Sequence, residues 1–147
     1  MDGLRDDWTL PEANAALPTV RALLAEGRAA VAALRDVEAQ LQDLRIVWGD
    51  ALLDAACPGH GEFTSYAQRS GALRHDLETV ELRFHALGCE PKDLEQGLVD
   101  FRGRVAGQEA YLCWRDGEET LSWWHPLEGG FAARRPIPGA KAPVRPS

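Results

Sequence analysis

The sequence lacks several features that would assign it to a particular class of protein. No stretch of about 18 consecutive apolar residues occurs, so no membrane-spanning helix and no membrane partner are expected. The first residues, MDGLRDDW, are acidic and contain no apolar run, so we expect no secretory signal. Basic residues are outnumbered, 16 against 23 acidic ones. The resulting net charge of -7 argues against nucleic-acid binding, which needs a basic face.

Cysteine is also scarce, and its spacing excludes the common zinc and redox motifs. Cys57, Cys89 and Cys113 are odd in number and far apart, with no CxxC pair. Without a secretory signal they are expected to be reduced thiols in a cytoplasmic protein. We interpret Cys113, in a predicted strand, as an inert buried thiol. The sequence contains no phosphate-binding glycine loop, nucleophile elbow, HExxH or dinucleotide fingerprint, so its motifs predict no reaction.

What the sequence does have is the composition of a folded domain. Hydrophobic residues make up 45% of the chain and charged residues 27%. The length suits one hydrophobic core, so we expect a single domain over residues 1–147. Its periodicity predicts a helical part over residues 9–88 and a small β part over residues 89–132. Residues 133–147, drawn from few residue types, are expected to form a flexible tail.

Helical periodicity dominates the first part of the chain. Thr9 and Glu12 form a capping box, and apolar residues then recur at steps of three and four over residues 10–55. Pro18 disfavours helical geometry at the residue before it and removes a hydrogen-bond donor. We therefore expect a short leading helix that ends near Pro18, followed by a long helix over residues 18–56.

A second helix is predicted over residues 64–87, with Gly88 as its C-terminal stop. Its apolar residues repeat with the same spacing as those of the long helix, so we expect the two to pair as an antiparallel hairpin. The long helix would span ~58 Å and the second only ~36 Å. The overhang would carry apolar side chains, which predicts a homodimer built on the long helix.

The helical spacing of apolar residues ends near Cys89. Three short segments after it have the residue pattern of β-strands: Leu98–Arg102, Gln108–Arg115 and Glu118–His125. Taken together, the patterns predict an α+β fold. We expect an N-terminal antiparallel helical hairpin with a short leading helix, followed by a small three-stranded antiparallel sheet.

A two-residue turn at Asp116-Gly117 would set the pairing of the last two strands. In that register Ala110 lies opposite Trp123, and the side chains of Glu118 and His125 project from opposite faces of the sheet. A longer turn would shift the register and could bring Glu118 and His125 together, so this point stays open.

Short motifs are distributed over nearly the whole chain. They are an aromatic-Thr-Leu-x-Glu-Ala-Asn pattern that leads to Leu-Pro (residues 8–18), Gly-Leu-Val-Asp-Phe (97–101), Leu-Cys-Trp-Arg-x-Gly-Glu (112–118), Trp-His (124–125) and Gly-Phe-x-x-Arg (130–134). Together they resemble the domain-of-unknown-function 2203 family of small prokaryotic proteins. Arg102 departs from the pattern, because the family usually has Pro after Asp-Phe, so the turn there is less constrained. The resemblance implies no reaction, since the family's function is unassigned.

Four polar residues match polar positions of these motifs: Asp100, Glu118, His125 and Arg134. Because they lie among aromatic residues, the resemblance implies a ligand-binding site at the sheet. Asp100, Glu118 and His125 are the candidate metal ligands, since carboxylate and imidazole groups suit Mn, Fe or Zn. The first hypothesis is therefore a small cytoplasmic binding protein with a divalent metal as its candidate cofactor.

Two other hypotheses remain beside this one. The chain could be a structural or interaction protein that self-associates through its long helix. An enzyme that uses His125 as general base ranks third, because no nucleophile or cofactor motif accompanies that residue.

Overall fold

A computed structural model describes residues 5–139, which form two long helices followed by an antiparallel sheet. The α+β class is as predicted, but the sheet has five strands rather than three. Within the described residues, no helix is both long enough and apolar enough to cross a membrane. The elements are α1 (Leu10–Trp48), α2 (His60–Leu87), β1 (Glu90–Asp93), β2 (Leu98–Val105), β3 (Gln108–Arg115), β4 (Trp123–Pro126), β5 (Arg135–Pro136) and two 3-10 helices (Gly49–Leu53 and Phe131–Ala133).

The chain divides into two compact units. One is Glu26–Val80, called here the hairpin unit; the other joins Met1–Ala25 to Glu81–Ser147 and is called the sheet unit. The division falls within both long helices, whereas the change from helix to strand comes after Leu87, close to the predicted boundary. The predicted flexible tail is wrong in part, because Arg135 and Pro136 form strand β5, which pairs with β4. Residues 140–147 of the predicted tail lie outside the described residues.

The predicted capping box opens α1. The backbone amide of Thr9 donates to Glu12 Oε1 at 3.0 Å, and the amide of Glu12 donates to Thr9 Oγ1 at 3.3 Å. The predicted short leading helix is wrong, because α1 continues through Pro18 without a break. Pro18 is exposed and removes one hydrogen bond, while Leu17 and Val20 beside it are buried in the sheet unit. Their burial offsets the lost bond.

The long helix also ends earlier than predicted. It stops at Trp48 rather than near Ala56, and Gly49 follows with a φ of 57°. This left-handed conformation terminates helices and suits glycine. A 3-10 turn then leads to α2, which begins at His60 and ends at Leu87, with Gly88 as the predicted stop at a φ of 98°.

Within the hairpin unit, the two helices pack against each other through their apolar seams. Val37 and Leu41 of α1 meet Leu73 of α2 in a buried cluster. An ion pair between Glu38 and Arg74 lies beside it. The seams of the two helices therefore meet within this unit, as the predicted pairing of the helices requires.

The five strands follow one another in sequence order across the sheet, all antiparallel. β2 and β3 are joined by Ala106 and Gly107, whose φ values of 53° and 82° give the left-handed geometry of a tight hairpin. This pairing extends β2 to Val105, three residues beyond the predicted strand.

The predicted register between the last two long strands is wrong. Ala110 lies opposite Pro126 instead of Trp123, a shift of three residues. The chain between β3 and β4 leaves the ladder because it bonds α1 instead: the amide of Leu121 donates to Asn14 Oδ1 at 2.7 Å. Since side chains alternate between faces, this odd shift moves every side chain of β4 to the other face.

The N-terminal segment lies against the same sheet. The amide of Trp8 donates to the carbonyl of Arg102 at 3.1 Å, and its indole Nε1 donates to the carbonyl of Gly88 at 2.7 Å. Gly103 makes this approach possible, since a Cβ there would lie 2.2 Å from the carbonyl oxygen of Trp8.

Candidate metal centre

Three polar side chains meet on one face of the sheet, each from a different strand. Asp100 of β2 lies directly opposite Cys113 of β3. His125 of β4 lies opposite Tyr111, two residues from Cys113. Cross-strand partners share a face, and so do alternate residues of a strand, so all four side chains point the same way. The opposite face carries buried apolar residues, among them Phe101.

The ligand atoms of Asp100, Cys113 and His125 all lie within 4.8 Å of one another. Each residue is at most 4% exposed. Nε2 of His125 is 2.9 Å from Oδ2 of Asp100, and the Cys113 thiol hydrogen-bonds the same carboxylate. We call this group the Asp-Cys-His cluster.

Hydrogen bonds at both ring nitrogens orient the imidazole of His125. Its Nδ1 lies 2.7 Å from the carbonyl oxygen of Pro126. A carbonyl oxygen only accepts, so Nδ1 carries a hydrogen and donates it. Nε2 therefore faces the carboxylate of Asp100 with a single proton held between the two atoms. A metal ion could replace that proton, and metal-bound histidines commonly have their other nitrogen fixed by such a carbonyl.

Burial disfavours the charged forms of both acids in the cluster. It raises the pKa of the Asp100 carboxyl above its ordinary value, although the neighbouring His125 opposes this effect. It also raises the pKa of the Cys113 thiol to about 12. Without a cation beside it, the Cys113 thiol therefore keeps its proton at neutral pH, and a divalent ion would favour its release.

A cavity of about 300 Å³ adjoins the cluster. Besides the cluster residues, it is lined by side chains from β1 and β2 and by the segment that follows β4: Lys92, Leu98, Leu127, Glu128, Gly130 and Phe131. The three cluster residues are thus buried but also line a small cavity.

The other two predicted site residues form a separate pair, in which Glu118 is buried and Arg134 partly buried. One terminal nitrogen of Arg134 donates to both carboxylate oxygens of Glu118, each at 2.7 Å. Glu118 also accepts from the amide of Arg115 at 2.8 Å. The Arg134 guanidinium lies over the rings of Trp123 and Phe131, at 4.8 and 4.6 Å from their centroids. The arginine compensates the charge of this carboxylate, which lies outside the Asp-Cys-His cluster.

The structure thus unites Asp100 and His125 and adds a residue that sequence reasoning set aside. Cys113 was expected to be an inert thiol because no motif surrounds it. Its proximity to Asp100 depends on the pairing of β2 with β3, which the Ala106-Gly107 turn fixes. That turn was not recognised, since alanine is an unusual residue at a positive φ.

Comparison with known proteins identifies the family and no more. The model of the family described as "Uncharacterized conserved protein (DUF2203)" matches residues 7–137. The chain therefore belongs to the domain-of-unknown-function 2203 family, as its motifs predicted. No curated protein and no solved structure shows significant similarity to it.

Proposed function

We propose that this member of the domain-of-unknown-function 2203 family binds one zinc ion through Asp100, Cys113 and His125. The observation that carries the proposal is the convergence of three different ligand types, all buried, within 4.8 Å. Ligand atoms of a tetrahedral zinc ion lie roughly 3.3–3.8 Å apart, given zinc–ligand bonds of ~2.0–2.3 Å. Movements of about 1 Å would therefore convert the cluster into a zinc site.

The ligand types favour zinc and iron over manganese. Thiolate is a soft ligand that suits zinc and iron, whereas manganese prefers oxygen. A zinc ion would also compensate the two buried acids, whose pKa values burial raises. A reducing compartment such as the cytoplasm would keep the Cys113 thiol free for the metal.

The test is the zinc content of the purified protein after zinc loading and dialysis, measured by elemental analysis. We expect about one zinc per chain in the natural protein and less than a tenth of that in Asp100→Asn. Glu118→Gln is the matched control, because Glu118 is an equally buried carboxylate outside the cluster. It should keep its zinc.

Two results would contradict this ligand set. Full zinc content in Asp100→Asn would exclude the cluster, and loss of zinc in Glu118→Gln alone would assign the metal to the other carboxylate. Circular dichroism of each variant establishes that it is folded. If Asp100→Asn does not fold, His125→Gln provides the same test.

A second candidate function is self-association, with a second copy of the chain as partner. The observation that favours it is a group of exposed apolar side chains in the hairpin unit: Ile46 (73% exposed), Val47 (69%) and Leu53 (75%). Water contacts these residues in the monomer, and burial in a homodimer would stabilise them by ~25 cal/mol per Å².

Light scattering at tens of micromolar tests the dimer. The homodimer proposal expects twice the 16.1 kDa of one chain, and the monomer mass for Val47→Glu. A monomeric natural protein would refute it.

A further inference from the structure

We infer that the cavity beside the cluster binds a small monocarboxylate with a short apolar tail, whose carboxylate takes the fourth position on the metal. This inference rests on the proposed zinc site. The cluster offers three protein ligands, whereas zinc takes four, and sites with three protein ligands leave the fourth to water or a substrate. The cavity is lined by all three cluster residues, so it provides room for that ligand.

The charges around the cavity limit the ligand to a single negative charge. A zinc ion with the anions of Asp100 and Cys113 and a neutral His125 has no net charge, so a bound carboxylate would leave one negative charge. Lys92 can compensate it, since it is the cationic side chain among the described residues that line the cavity. Its ammonium is also 2.9 Å from Glu90, so its charge would be shared between Glu90 and the bound carboxylate.

The other residues that line the cavity indicate what the ligand carries besides its carboxylate. Leu98, Leu127 and Phe131 give the cavity apolar walls, which suit a hydrocarbon tail. Glu128 also lines the cavity, so none of its described lining residues is left to compensate a second carboxylate. A volume of about 300 Å³ is at the low end for ligand pockets, so the tail must be short.

The experiment uses the full chain loaded with cobalt(II), whose visible bands report its ligands and whose thiolate charge-transfer band reports Cys113. Butyrate is titrated into this protein and should shift the visible bands saturably. Acetate should bind about tenfold more weakly, because it lacks two methylene groups. Butyramide, which has no charge, and succinate, which has a second carboxylate, should also bind much more weakly.

Two variants at the cavity make the test specific. Lys92→Met should weaken butyrate binding about twofold to fivefold, as expected for a half-exposed charge. Glu90→Gln releases the ammonium from its ion pair and should strengthen butyrate binding instead. The cobalt affinity of each variant is measured without butyrate, so that a change at the metal is separated from a change in carboxylate binding.

The outcomes separate this inference from the zinc proposal. If cobalt binds with its thiolate band but butyrate leaves the visible bands unchanged, the carboxylate inference is wrong and the metal site stands. Equal binding of butyrate and butyramide, or no effect of Lys92→Met, refutes it as well. If no thiolate band forms, the metal proposal fails and this inference fails with it.

Discussion

Replacement of Cys113 by serine separates the metal role of this thiol from its role in the core. Serine has nearly the same shape, but its neutral hydroxyl is a poor zinc ligand. Cys113→Ser should therefore remove the stabilisation that zinc gives the folded chain. Cys89→Ser is a close control, because Cys89 is also 1% exposed and burial raises its pKa to about 12 as well.

The expected magnitude follows from the linkage between binding and folding. Free zinc at 1,000 times its dissociation constant stabilises the folded state by about 4 kcal/mol. For a domain of about 150 residues, 1 kcal/mol corresponds to roughly 4 °C in Tm. Zinc should then raise the Tm of the natural protein by about 15 °C. Burying a hydroxyl in place of a thiol costs about 1–3 kcal/mol, with or without metal, in either variant.

The assay is thermal unfolding by circular dichroism, with and without zinc, on all three proteins. The quantity compared is the zinc-dependent rise in Tm, so the cost of each serine cancels. Cys89→Ser should keep that rise and Cys113→Ser should lose it. If zinc does not stabilise the natural protein, or if Cys113→Ser shows the same rise, the reasoning is refuted.

Two further predictions concern the metal-free protein and the sheet. Burial raises the pKa of Cys113 from 9.0 to about 12, so the folded state holds this proton more tightly than the unfolded chain. The stability that this difference contributes is complete below pH 9 and is lost as the pH rises. Urea unfolding should show about 1 kcal/mol lost by pH 10 for Cys113 and a similar loss for Cys89, whose pKa is also raised to about 12, so Cys113→Ser should show about half the loss of the natural protein. Gly103→Ala should destabilise the chain by about 1–3 kcal/mol in the same assay, because its methyl group would overlap the carbonyl of Trp8. Gly71→Ala, a helical position with open space around it, should be neutral or stabilising, and a comparable loss there would refute the steric argument.

The helices were predictable from the sequence because their signals are local. The capping box at Thr9 and the stop at Gly88 depend on neighbouring residues, and both are present as expected. Pro18 misled the prediction, since the cost of a proline within a helix is local but the burial that offsets it is tertiary. Such compensation cannot be read from the residues around the proline.

The cluster was predictable only in part, because it depends on register. Asp100 and His125 were singled out by motifs that the chain shares with its family. The two-residue turn at Asp116-Gly117 would have placed His125 on the opposite face from Cys113. Hydrogen bonds between α1 and the segment before β4 shift the register by three residues, and these contacts have no signal in the local sequence.

The ion pair of Glu118 and Arg134 connects the turn after β3 to the segment just before β5. Glu118 closes the turn after β3, where its amide donates to the carbonyl of Arg115 at 3.0 Å and its carboxylate accepts from the Arg115 amide. The same carboxylate holds Arg134, which stands just before β5. A shift of one residue in β4 would move His125 away from Asp100, whereas the ion pair would be lost only if the turn itself moved. The two polar groups therefore differ: Glu118 is already paired with the guanidinium of Arg134, whereas Asp100 faces an imidazole and a thiol, which are both groups that can bind a metal.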